Sequence, residues 1–254
     1  RGGGGVSRGF SKRDGGSRLS AEDAGILVDS AHAAAIVDNR LEDVLFGVYV
    51  KGSDGAVVSG NVITGKDLPM PRRGDGIRLW YSPGTKILDN RVSRIRDVVI
   101  WWSSDTLLKG NVVEEGRYGL HYMSSNDNRF EDNVFRNNYV GGFLMYSVDI
   151  EFYRNEFIGN RGIGTGYGVG FKDLDRVVAR DNVIADNRIG IFLDNSPYLI
   201  EAWNEIDGNV IAYNDIGVSF MPSIRRNAFV SNSFMGNGEQ VEVRGGGHLS
   251  GNLW

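Results

Sequence analysis

The sequence contains no cysteine. That excludes disulfides, thiolate ligands and thiol nucleophiles, so a soft-metal site would have to draw on histidine or methionine. Cysteine usage therefore leaves the compartment open. Proline is scarce at 5 residues, and no apolar run approaches the roughly 18 residues that a membrane-spanning helix requires. Nothing at the N-terminus has the form of a signal peptide. Because the chain opens on RGGGG and stops at GNLW without a cap-like segment, it reads as an excerpt of a longer protein. A basic excess is also missing: the formal net charge of −4 argues against nucleic acid or an anionic membrane bound through a general basic field. The long alanine, leucine and glutamate runs of helical proteins are absent as well.

What the chain has in quantity is glycine, 36 residues of it, and regularly spaced asparagine. This is the composition of a turn-rich β protein. An N-x-apolar triplet recurs at Asn39, Asn61, Asn90, Asn111, Asn133, Asn155, Asn182, Asn209 and Asn232. A second marker, glycine followed by an apolar residue, recurs at Gly25, Gly47, Gly76, Gly119, Gly141, Gly168, Gly190 and Gly217, with Asp97 in the same slot of one copy. The unit is a coil of about 22 residues with insertions at fixed corners, at 66–73, 162–167 and 196–203. One such coil cannot bury its apolar face alone and must stack on its neighbours. The expected fold is all-β, a single-stranded right-handed parallel β-helix of about ten coils spanning 1–254 as one domain, about 45 Å long at the usual strand spacing. The recurrent asparagines are expected to stack at equivalent corners as a hydrogen-bonded ladder.

Strand side chains alternate, so counting from the marker assigns the faces. Positions one and three are apolar in nearly every copy, as in Ile77 and Leu79, Val98 and Ile100, Leu120 and Tyr122, Ile191 and Leu193. They are expected to form the core. In the copy with Gly142 and Leu144, the missing side chain is expected to make room for a large neighbour such as Tyr122. Positions two and four are then expected to face solvent. Position two runs Arg78, Val99, His121, Phe143, Gly170, Phe192, Ser219, and position four runs Trp80, Trp101, Met123, Met145, Lys172, Asp194, Met221. Such an aromatic and thioether-rich strip is either a binding surface or a second small core covered by a folded-back insert.

Two chemistries can be drawn from this strip. His121, Met123 and Met145 offer one imidazole and two thioethers from adjacent coils, soft neutral donors suited to Cu(I), although the same residues also serve as ordinary packing. Alternatively, Asp75, Arg78, Arg96, Asp97, Arg117, Lys172, Asp173 and Asp194 are acid and base candidates for a uronate lyase or C5-epimerase, with Trp80 and Trp101 stacking on sugar rings. Lys172 and Asp194 also fit a simple cross-strand ion pair.

The segments GDGIRLW (74–80), RD (96–97), RYGLHYMS (117–124) and GGFLMYS (141–147), with GNLW (251–254), resemble the NosD family of accessory proteins for nitrous oxide reductase maturation. The similarity takes in the insert DLPMPRRGDGI and is strongest between Asp67 and Ser147. The resemblance implies a non-catalytic periplasmic β-helix, which docks on an ABC transporter permease and ATPase and works with a copper chaperone to equip the reductase. It also implies that His121, Met123 and Met145 handle Cu(I) transiently. Ser124 stands where tyrosine is common, and FKDLD (171–175) and SPYLIEAW (196–203) depart from the pattern, leaving room for another cargo.

Overall fold

The computed structural model describes residues 23–222 and 224–244; the opening RGGGG and the closing GNLW lie outside the described residues. Within them the chain winds as a parallel β-helix, and every strand pairing is parallel. Ten strands stack along the face that carries the strip, from Ala24–Asp29 through Asp97–Trp101, Tyr118–Met123 and Val140–Tyr153 to Glu239–Val243. The N-x-apolar triplets begin the strands of a separate nine-stranded sheet, running from Arg40–Val44 to Ser233–Met235. A third stack, including Lys86–Leu88, Leu107–Lys109 and Asn128–Glu131, joins the first where the chain bends around the corner inside Val140–Tyr153 and Tyr167–Arg180.

The marker glycines are required by the closeness of successive coils. A Cβ on Gly47 would lie 2.2 Å from the Gly76 carbonyl oxygen, and one on Gly141 would lie 2.4 Å from that of Gly168. No side chain fits there.

The expected core is present: Ile77, Leu79, Val98, Ile100, Leu120, Tyr122, Ile191 and Leu193 are all buried. Aromatic stacking reinforces the middle coils, with Phe130 on Phe152 at 4.8 Å and Phe135 on Phe157 at 5.1 Å between ring centroids. The space left by Gly142 is lined by side chains of its own and neighbouring coils. The atoms nearest to a Cβ there belong to Phe157, Leu144 and Val169, while Tyr122 pairs in register with Leu144 and donates its hydroxyl to the Ser125 carbonyl.

The asparagine ladder forms as expected, each Nδ2 donating to the Oδ1 of the next coil from Asn39 to Asn232, for example Asn133 to Asn155 at 2.9 Å. Each interior amide also donates to a backbone carbonyl, as Asn155 does to Phe130, so the buried polar groups are satisfied. A second ladder, Asn138, Asn160, Asn187, Asn214 and Asn237, was not evident from the triplets because these asparagines end the strands of the nine-stranded sheet instead of starting them. Three inserts leave the helix where expected, the first containing the 3-10 turn Met70–Arg72.

Candidate functional site

The register fixes which strip residues are neighbours. Arg78 pairs with Val99, Val99 with His121, His121 with Phe143, and Phe143 with Gly170. One row over, Trp80 pairs with Trp101, Trp101 with Met123, Met123 with Met145, Met145 with Lys172, and Lys172 with Asp194. Met221 extends this row, its backbone N–H donating to the carbonyl of Leu193.

The two rows differ in exposure, and this corrects the expectation that both face solvent. Position four is half-buried throughout. Position two is more deeply placed: Arg78 is only 9% exposed, Val99 and Ser219 are buried, and His121 and Phe143 are half-buried. The cover comes from side chains of the same face. Tyr118 lies 4.9 Å from the His121 ring and 6.3 Å from Phe143, and Tyr167 lies 6.0 Å from Phe143 and 4.6 Å from Phe192. A third outward row, one residue before the marker, thus flanks position two. Counting only forward from the glycine misses it, although Tyr118 and Tyr167 hold equivalent places before Gly119 and Gly168.

Gly170 has a specific part in this layer. A Cβ there would come within 2.5 Å of the Phe143 ring, so the glycine is what lets Phe143 lie flat across the row.

The copy in which aspartate replaces the marker glycine builds the polar centre of the site. Asp97 occupies the slot, and the ladder to the next coil shifts register between Asp97 and Val99. Such irregularities re-aim side chains. The Asp97 carboxylate, 1% exposed, accepts from Arg117 Nε at 2.9 Å and from Arg117 Nη2, and lies 3.2 Å from His121 Nδ1. Beside it Asp75, fully buried, accepts from Arg96 Nη2 at 2.9 Å and Arg78 Nη1 at 3.2 Å. The Arg78 guanidinium is enclosed by Tyr49, Trp80 and Trp101, with its central carbon 5.2–5.4 Å from each ring centroid. Cations so placed are held by the ring quadrupoles as well as by the carboxylate.

Burial acts upward on both carboxylates, and their net shifts differ because their partners differ. For Asp75, burial dominates and raises its pKa from 3.8 despite Arg96. For Asp97, burial also acts upward, but hydrogen bonds from His121 and Arg117 outweigh it and the pKa is lowered from 3.8. Asp97 is thus the firmly ionised member.

The consequence for His121 is directional. A carboxylate facing Nδ1 places the proton there and leaves the Nε2 lone pair as the free donor, the arrangement commonly used to orient metal-binding imidazoles. Met123, two residues on, projects to the same side of the strand, and Met145 lies beside it in register. The donor set is therefore soft and neutral, with its nearest carboxylate engaged by arginine. Among the described residues no group of three or more His, Cys, Asp or Glu side chains is gathered as a harder metal site would need.

Lys172 and Asp194 form the cross-strand pair, Nζ to Oδ2 at 2.5 Å, which raises the lysine pKa. Asp173, with Tyr146, Tyr198 and Leu199, lines a groove of about 480 Å³ on the neighbouring corner. No helix among the described residues is long and apolar enough to cross a membrane.

With this geometry in view, comparisons with known proteins separate fold from family. The described coils superpose on the A-module of the Azotobacter vinelandii mannuronan C-5 epimerase AlgE6 with a TM-score of 0.65 at 15% identity, over 84% of this chain and 62% of that one. An alginate lyase from Paenibacillus sp. gives 0.53 at 14% identity, over 83% of this chain and 79% of that one. At these identities the likeness is one of fold. The sequence is 37% identical over 84 residues to the probable ABC transporter binding protein NosD of Stutzerimonas stutzeri, a match taking in 32% of this chain and only 19% of the relative. The family model for NosD, described as periplasmic copper-binding protein, matches residues 59–254, a span that holds Asp75, Asp97 and the His121, Met123 and Met145 set, and the chain accordingly belongs to the NosD family.

Proposed function

We propose that this protein is a non-catalytic periplasmic accessory factor that carries Cu(I) as transient cargo on the outer face of its β-helix, with His121, Met123 and Met145 as donors. The observation that carries the reading is the coincidence on one face of two thioethers in register with each other, and, two residues along the strand from one of them, an imidazole whose Nδ1 is held by a buried carboxylate. Three neutral, half-buried donors suit a relay, since they leave the ion within reach of an incoming ligand set. The partners in this reading are an ABC transporter permease and ATPase, a copper chaperone that delivers the ion, and nitrous oxide reductase as its destination. The half-buried row of Trp80, Trp101, Met123 and Met145 is the surface on which they would dock.

Anaerobic Cu(I) titration of the purified protein tests the proposal. Binding should drop at least about tenfold in His121→Ala combined with Met123→Ala. Equal affinity in parent and double variant would remove it.

A uronate epimerase or lyase on the same face has less support. Lys172 and Asp194 engage each other, and Asp75 and Asp97 are buried against arginines. Turnover of alginate, pectin or heparin-like polymers, sensitive to Asp194→Asn, would favour that alternative.

A further inference from the structure

We propose that the indole of Trp101 is a further component of the soft-cation site, closing it on the side of the preceding coil and contacting a singly charged ion through its π face. This rests on the assignment of the ion to His121, Met123 and Met145. The row order sets the choice: the methionines are bounded by Trp101 on one side and Lys172 on the other. Lys172 offers no electron density, and its ammonium is drawn to Asp194 at 2.5 Å. Trp101 is beside Met123 in register, and its ring centroid is 5.0 Å from that of His121 at an interplanar angle of 87°.

The ring's electrostatics are already in use. The Arg78 guanidinium carbon, from the coil before, lies 5.3 Å from the Trp101 centroid, so the indole stands between a resident cation and the His–Met donors. Its placement comes from packing: Trp80 lies 5.7 Å and Trp102 6.0 Å away between centroids, and Nε1 is buried with no protein acceptor. A tryptophan oriented by its ring rather than by its N–H presents a π surface as its chemistry. An indole face is a neutral, polarisable contact that suits a weakly hydrated monovalent ion. A divalent ion gains less from it, because it must give up strongly held water or oxygen ligands. Trp101 therefore sets selectivity for Cu(I)-like ions.

The experiment is an anaerobic titration of the purified protein with Ag(I), a redox-inert singly charged probe, followed by indole fluorescence and near-ultraviolet difference absorbance, with Zn(II) titrated in parallel. The parent should show quenching and a new difference band. Trp101→Leu should bind Ag(I) about tenfold more weakly, with Zn(II) affinity changed less than about twofold. Trp101→Phe, which keeps a ring in place, should lose the indole band with a smaller loss of affinity. Unchanged Ag(I) affinity in Trp101→Leu, or a parent-like difference band in Trp101→Phe, would overturn the inference. Parallel losses of Ag(I) and Zn(II) would also overturn it, as they would mark a merely structural role. Loss of Ag(I) binding in His121→Ala with Met123→Ala, alongside an indifferent Trp101→Leu, leaves the His–Met assignment standing. Ag(I) binding that ignores His121 and Met123 removes that assignment and this inference together.

Discussion

His121 Nδ1 lies 3.2 Å from the Oδ2 of Asp97, a carboxylate that is itself gripped by Arg117, which like His121 comes from the next coil. The histidine is thereby tied to the coil whose marker position is aspartate instead of glycine. This departure from the repeat and the polar centre of the site coincide.

Replacing Asp97 with asparagine should expose how much depends on that tie. The amide removes the charge that Arg117 pairs with, and its N–H₂ can face Nδ1, favouring the tautomer in which the proton sits on Nε2. Breaking a buried ion pair from one side costs about 3–5 kcal/mol. Asp97→Asn keeps an acceptor oxygen and should fall at the lower end, measured by urea unfolding. Cu(I) affinity should fall as well while Met123 and Met145 stay intact. A variant with parent-like affinity would show that the carboxylate does not orient the imidazole.

The pH dependence of stability separates the two buried aspartates. Asp97 has a lowered pKa in the folded state, so its contribution is present above 3.8 and is lost as pH falls below 3.8 through the lowered value. Asp75 has a raised pKa, so its ionisation opposes folding at neutral pH, and protonation between the raised value and 3.8 relieves that cost. Unfolding free energies of the parent should therefore decline more steeply below 3.8 than those of Asp97→Asn. Asp75→Asn should flatten the region just above 3.8. Identical profiles for parent and both variants would contradict these assignments.

Gly170→Ala tests the outer aromatic layer. Its new methyl would meet Phe143 at 2.5 Å, so the ring must swing away from Tyr167, at a cost of about 1–3 kcal/mol. Phe143→Ala should suppress this clash, making Gly170→Ala almost neutral in that background. A double-mutant cycle with no coupling would refute the contact.

In the asparagine ladder, Asn155→Ala removes a side chain that donates to Asn182 and Phe130 and accepts from the backbone and side chain of Asn133. Leaving such buried groups unpaired costs about 1–3 kcal/mol each before relaxation. The expected loss of about 3 kcal/mol should be several times that of Lys172→Ala, whose half-buried pair contributes about 1 kcal/mol at most. Thermal unfolding of both variants makes the comparison.

The repeat, its strand register and the core rows were legible in the sequence because they follow from period two within a strand and a near-constant coil length. With those alone, His121 is placed beside Phe143, Met123 beside Met145, and Lys172 beside Asp194. Local spacing could not tell that position two is roofed over by Tyr118 and Tyr167, since burial on an outer face depends on side-chain size in neighbouring rows. Nor could it aim a carboxylate. Asp75 and Asp97 were visible as acid and base candidates without partners; their pairing with Arg96, Arg117 and His121 arises from the displaced ladder at Asp97 and the lateral reach of arginines between coils. Which residues share a face can be read from chain-local pattern, because stacking repeats that pattern coil after coil. Which of them are buried, charged and facing each other emerges only in the folded stack, because those properties belong to contacts between coils and to no single one.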